Sequence, residues 1–309
     1  MPDPAPFFAG IADAPAGTYA VYVGVGGIRL RVALGPPGAR GLALIFPGRT
    51  EYAEKYGPLM TRLAGAGFGT AVIDWRGQGL STRPRTPLLG HVDRFAAYQD
   101  DIAAMLALDA LSSHPGPRCL IAHSMGGCIG LRALSFGLGV QAAVFTAPMW
   151  DIALPQRWLR LPARAVARLL NGIGLGLRPA GRLQPYVLHT PFGENDLTSD
   201  AAAYQRLIAH LTAHPELGLG SPSLSWIDAA FREMDALRAM ARPSLPVLGF
   251  LGSAERVVSG QAIETLFARL PRARLVPLTG ARHEAWIEAP EIQGLVWRET
   301  LAFLSAQGF

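Results

Sequence analysis

The sequence predicts an α/β fold: a mostly parallel central sheet with helices on both faces, interrupted by a helical insertion. Three observations predict it. Short apolar runs alternate with stretches of helical spacing through the first half of the chain. The alternation stops at Ala147-Pro148 and resumes at Leu245. Before this interruption, the run Cys119–His123 breaks into a helix through Ser124-Met125-Gly126-Gly127, a turn too tight for bulky neighbours. At 309 residues, with 50% hydrophobic and 17% charged residues, the chain has the length and composition for a large core.

Taken in order, Thr18–Val23 and Ile28–Leu34 read as two strands joined through Gly24, Gly26 and Gly27 as a hairpin. Leu42–Phe46 is an unbroken apolar run, as expected of a strand buried on both faces, and it ends at Pro47-Gly48. A helix is predicted from about Glu51 to Ala66, then a strand over Thr70–Trp75. A glycine-broken loop follows over Arg76–Ser81, and helical spacing over Arg94–Leu111. The strand Cys119–His123, the helix opening at Ser124 and the strand Ala142–Thr146 complete the first half. Residues 149–242 read as a helical lid (cap) inserted into a core formed by 1–148 and 243–309. The core resumes with strands Leu245–Leu251 and Ala273–Leu278 around a helix near Gln261–Leu270, and closes with a helix from about Pro290 to Leu304.

Two cysteines, Cys119 and Cys128, exclude a disulfide framework and read as packed free thiols. The formal charge is +5, carried almost wholly by arginine, since Lys55 is the single lysine. Two readings fit this bias: a GC-rich coding preference, and a basic face drawn to anionic phospholipid. Composition does not separate them. The first twenty residues lack the basic start and apolar run of a secretory signal, and no stretch approaches 18 uninterrupted apolar residues. The expectation is a cytoplasmic protein, with peripheral contact at the inner membrane face under the second reading of the charge.

A serine at the apex of a strand–turn–helix is a hydroxyl nucleophile, and Ser124 then needs a base, an orienting acid and oxyanion donors. A G-x-S-x-G pattern alone is weak, and here Ala122 replaces the first glycine; the surrounding strand and helix carry the assignment. The alternative for Ser124 is a plain helix N-cap. Of seven histidines, His283 follows the last strand and precedes the terminal helix, where a base can face the apex. His123 cannot swing back to its neighbour. His210 and His214 stand at i, i+4 but lack the glutamate of H-E-x-x-H and a third ligand, so they read as surface residues. The acid is expected after the preceding strand, at Glu255, with Asp151 as the competing choice after Ala142–Thr146. Oxyanion donors are expected from the backbone N–H of Met125, at a helix N-terminus, and of Arg49 in Pro47-Gly48-Arg49.

These segments together resemble the α/β-hydrolase superfamily, most closely the branch of bacterial lysophospholipases and monoacylglycerol lipases. Pro47-Gly48-Arg49-Thr50-Glu51 with the downstream Glu54-Lys55-Tyr56 is similar to the family's oxyanion segment, with Pro47 where histidine is usual. Asp74-Trp75-Arg76-Gly77-Gln78-Gly79-Leu80-Ser81 resembles its Asp-x-Arg-Gly-x-Gly-x-Ser loop, and Arg282-His283-Glu284 its histidine loop. Pro191–Asp200 and His214–Gly220, followed by Ser221-Pro222 and Trp226, resemble lysophospholipase lid blocks. The resemblance implies hydrolysis of a lipid-like carboxylic ester through an acyl-enzyme on Ser124, without metal or organic cofactor and with no nucleic-acid partner. Two other readings stay open: an esterase or thioesterase for other acyl groups, and a ligand-binding protein that has lost catalysis. The sequence leaves the headgroup and the oligomeric state open.

Overall fold

The computed structural model describes residues 2–84, 86–154 and 156–309. Its strands are β1 (Asp3–Ala5), β2 (Tyr19–Val25), β3 (Ile28–Leu34), β4 (Gly41–Phe46), β5 (Phe68–Asp74), β6 (Arg118–His123), β7 (Ala142–Thr146), β8 (Val247–Gly252) and β9 (Ala273–Leu278). They form one sheet in the order β1-β2-β3-β5-β4-β6-β7-β8-β9. Pairing is antiparallel from β1 to β3 and where β3 meets β5, and parallel from β5 across to β9. The helices are α1 (Ala9–Ala12), α2 (Gly57–Gly65), α3 (Ala97–Leu106), α4 (Asp109–Ser112), α5 (Ser124–Ser135), α6 (Arg160–Leu170), α7 (Ala201–Ala213), α8 (Leu224–Ala239), α9 (Gly260–Phe267) and α10 (Pro290–Ala306).

The expected α/β architecture is present. Apart from Arg118 at the start of β6, strands β4 to β8 are buried throughout, which is why they read as continuous apolar runs. Alternate residues feed two cores. Leu42, Leu44 and Phe46 face one cluster with Tyr98 of α3, Met125 of α5 and Ile263 of α9. Ala43 and Ile45 face another with Met60 of α2 and Val296 of α10. Both cysteines are free and buried. Between β7 and β8 the described residues form helices and turns. There α7 packs Tyr204, Leu207 and Leu211 onto Tyr52 and Ile287.

Three departures from expectation have local causes. β1 was not foreseen because Asp3-Pro4-Ala5 carries a proline; it pairs with β2 at the sheet edge, where a missing N–H is tolerated. The predicted helix from Glu51 begins later: Glu51 and Tyr52 stay non-helical, and a 3₁₀ turn (Ala53–Tyr56) precedes α2. The helix predicted over Arg94–Leu111 divides into α3 and α4 at Leu108, whose extended backbone (ψ 131°) sends its side chain into the core.

Candidate active site

The apex of the β6–α5 turn is Ser124, held at φ +49°, a left-handed conformation that non-glycine residues rarely adopt. The surrounding structure imposes it. A Cβ at Gly126 would lie 2.0 Å from the Phe46 carbonyl oxygen, and one at Gly127 would lie 2.5 Å from Pro148 Cβ. Glycine at both positions lets α5 press against the ends of β4 and β7, and the serine is pushed out. Thr50 and Ala147, at neighbouring strand ends, also have positive φ.

Ser124 Oγ lies 2.9 Å from His283 Nε2, and His283 Nδ1 lies 2.7 Å from Glu255 Oε2. These three residues come from the ends of β6, β9 and β8. The second oxygen of Glu255 accepts the N–H groups of Val257 (2.6 Å) and Val258 (3.1 Å). Burial raises the Glu255 carboxyl, but the His283 imidazole and these amides outweigh that and hold it below its ordinary value. The structure thus brings together Ser124, His283 and Glu255.

Asp151, the competing acid, is not part of this set. Its carboxylate accepts from Arg160 Nε (2.8 Å) and from Arg238, so two guanidiniums from between β7 and β8 engage it. His210 also differs from expectation: it is buried, with Nδ1 3.2 Å from Tyr52 Oη. His214 stacks on Phe8 with ring centroids 3.6 Å apart.

The backbone N–H groups of Arg49, in the loop after β4, and of Met125, in the first turn of α5, donate to nothing among the described residues. The Arg49 loop is braced from behind. Trp75 Nε1 donates to Pro47 O (2.9 Å), Gln78 Nε2 to Gly48 O (2.8 Å), and Gly48 N to the Glu51 carboxylate. Asp74 in turn accepts from Ala53 N (2.9 Å) and Leu80 N (2.7 Å), and fully buried Arg31 joins Asp74 to Glu54. The Asp74–Ser81 motif is therefore a scaffold for the loop that carries Arg49.

Beneath the site lies a buried charge cluster that sequence reasoning did not assemble. The Lys55 ammonium bonds the carboxylates of Glu51 and Glu284, the latter at 2.7 Å. His123 Nε2 lies 3.4 Å from Glu284, while its Nδ1 is 3.0 Å from Thr146. Burial opposes charge on Glu284, yet Lys55 and His123 overcome it and keep that carboxyl well below its usual range. Glu51, His123 and Glu284 offer ligand atoms within 4.8 Å of one another, and Lys55 already supplies a cation between the two carboxylates. The local signal was the Glu51–Lys55 spacing of four; the third member, Glu284, is invisible without the fold.

A cavity of about 340 Å³ opens onto Ser124 and His283. Met149, Ile152, Leu207, Leu211, Leu219 and Trp226, all from between β7 and β8, give it mainly apolar walls. That combination of apolar cavity and convergent polar groups is the usual character of a small-molecule site.

The fold and this constellation define an α/β hydrolase. Residues 37–290 match the family described as serine aminopeptidase, S33; the chain belongs to this family and is an enzyme of the α/β-hydrolase class. It is 32% identical to lysophospholipase L2 of Escherichia coli (strain K12) over 257 residues, 78% of this chain and 71% of that protein. It is 27% identical to the probable lysophospholipase L2 of Haemophilus influenzae, over 87% of this chain and 85% of the other. In fold it is similar to a monoglyceride lipase of Saccharomyces cerevisiae, with a TM-score of 0.76, 20% identity, and 99% and 100% of the two chains covered. The monoacylglycerol lipase of Paleococcus ferrophilus gives 0.72 at 22% identity, over 89% of this chain and 98% of the other.

Proposed function

We propose that the protein is a serine hydrolase of carboxylic esters with an acyl chain, lysophospholipids or monoacylglycerols, working through an acyl-enzyme on Ser124. The observation that carries this is the unbroken relay Ser124–His283–Glu255 at 2.9 and 2.7 Å at the mouth of an apolar cavity. His283 Nε2 takes the Ser124 proton as Oγ attacks the acyl carbon. Glu255 keeps the proton of His283 on Nδ1 and stabilises the imidazolium. The developing oxyanion accepts from the amides of Arg49 and Met125. His283 then gives its proton to the leaving alkoxide, and water repeats the sequence on the acyl-enzyme. The complete relay tells against a ligand-binding protein that has lost catalysis.

In this reading residues 149–242 act as a lid whose inner wall holds the acyl chain, each buried CH₂ contributing about 0.8 kcal/mol. Chain-length profiling tests it. Activity should rise from acetyl to long-chain monoacyl esters, and a preference for acetyl esters would turn the assignment to a general esterase.

The outer face of the insertion supports a second element of the reading, a cytoplasmic enzyme docking on anionic phospholipid at the inner membrane face. No helix among the described residues is long and apolar enough to cross a membrane. Leu161 and Leu169 of α6 are 68% and 64% exposed, with Trp158 just before the helix at 66%. Residues 152–193 contain no acid, and exposed Arg168, Arg178 and Arg182 enter no ion pair among the described residues. Apolar side chains beside unpaired arginines suit an anionic interface. Trp158 emission should shift to the blue with phosphatidylglycerol vesicles and not with phosphatidylcholine; equal response to both, or none, removes this element.

A further inference from the structure

The protein matches its deeply placed cations with carboxylates: Arg31 with Glu54 and Asp74, Lys55 with Glu51 and Glu284, Arg132 with Glu233. Where a shielded guanidinium lacks one, it is distributed over backbone carbonyls. Arg83 donates to Gly79, Pro87, Glu216, Leu217 and Gly218. Arg49 follows neither pattern. It enters no ion pair among the described residues, and its side chain makes one hydrogen bond, from Nη2 to the Gly220 carbonyl. Its Nε is out of contact with water and has no partner among the described residues. The guanidinium lies against the Gly90 backbone and 5.5 Å from the centre of the Trp226 ring. Arg49, Leu219, Pro222 and Trp226 all line the cavity that holds Ser124 and His283. Burial brings its pKa down to about 10, which leaves it charged at neutral pH.

Arg49 is half-buried and faces no carboxylate among the described residues; only the Trp226 ring and one carbonyl offset its charge, and its Nε is unpartnered, so an anion filling the space during function would stabilise it. A guanidinium presents a fork that fits two oxygens of a phosphate. We propose that the Arg49 side chain is the counter-charge for the phosphate diester of the substrate, so that the cavity favours lysophospholipids over neutral monoacylglycerols. This rests on the ester-hydrolase reading and names the headgroup for it. One residue then serves both ends of the substrate. Its amide is the proposed donor to the ester carbonyl, and its side chain lines the same cavity as Ser124 and His283.

The test compares kcat/KM for 1-palmitoyl lysophosphatidylethanolamine and 1-palmitoylglycerol, which share the acyl chain. Arg49→Gln should lower the lysophospholipid-to-glyceride ratio about 30-fold, mainly through KM, and Arg49→Lys should restore part of it. Equal loss on both esters would make the side chain a brace for its loop and overturn the proposal. A measurement without variants covers a folding failure. The parent enzyme should be inhibited more than about 10-fold better by hexadecyl glycerophosphate ether than by hexadecyl glycerol ether, and equal inhibition overturns the proposal. Competition by inorganic phosphate against 1-palmitoylglycerol would assign the position to a free anion and likewise overturn it. If neither ester is hydrolysed, the underlying reading fails; if both are and the ratio is unmoved, only the role of Arg49 fails.

Discussion

Ser124→Ala removes turnover of p-nitrophenyl esters by about 10⁶-fold and leaves thermal unfolding close to that of the parent. The expectation of a large kinetic loss with little structural loss follows from the site. The Ser124 hydroxyl is bonded to His283 and has no other hydrogen-bond partner among the described residues. Alanine takes the same strained φ of +49° no worse than serine. Activity that survives in this variant, checked by burst kinetics and by mass spectrometry of the acylated protein, would discard Ser124 as nucleophile.

Glu255→Gln is expected to lower kcat by about 10⁴-fold. The reason lies in what the rest of the carboxylate touches. The N–H groups of Val257 and Val258 require an acceptor, so the amide oxygen of glutamine turns to them and its NH₂ faces His283 Nδ1. His283 would then carry its proton on Nε2, where it cannot accept one from Ser124. The control is Asp151→Asn, which should retain turnover because Asp151 is engaged with Arg160 and Arg238. If the asparagine variant loses activity and the glutamine variant keeps it, the acid has been misassigned.

The sequence made the strands β4 to β8 legible because burial on both faces leaves an unbroken apolar signature. The turn at Ser124 was legible because close approach demands Gly126 and Gly127 at fixed offsets. Choosing between Glu255 and Asp151 was harder, since both follow strand ends. What separates them is Arg238, distant in sequence, which reaches back from α8 to hold Asp151. The Lys55 cluster was hidden for the same reason: Glu284 meets it from 229 positions away. The sequence around Arg49 points to its amide alone, whereas its side chain acquires meaning only beside Trp226 and Gly220.

The loop bearing His283 is stitched to the insertion. Arg282 Nη1 donates to Asn195 O (2.8 Å), His283 N to Asp196 O (3.3 Å), and Glu284 N to Leu197 O (2.8 Å). In the proposed function, a swing of residues 149–242 as one body would draw the imidazole off the hydroxyl. If residues 149–242 act as the proposed lid, opening is expected to leave residues 195–197 moored, with the α6 side as the leaf and the α7 side as the jamb.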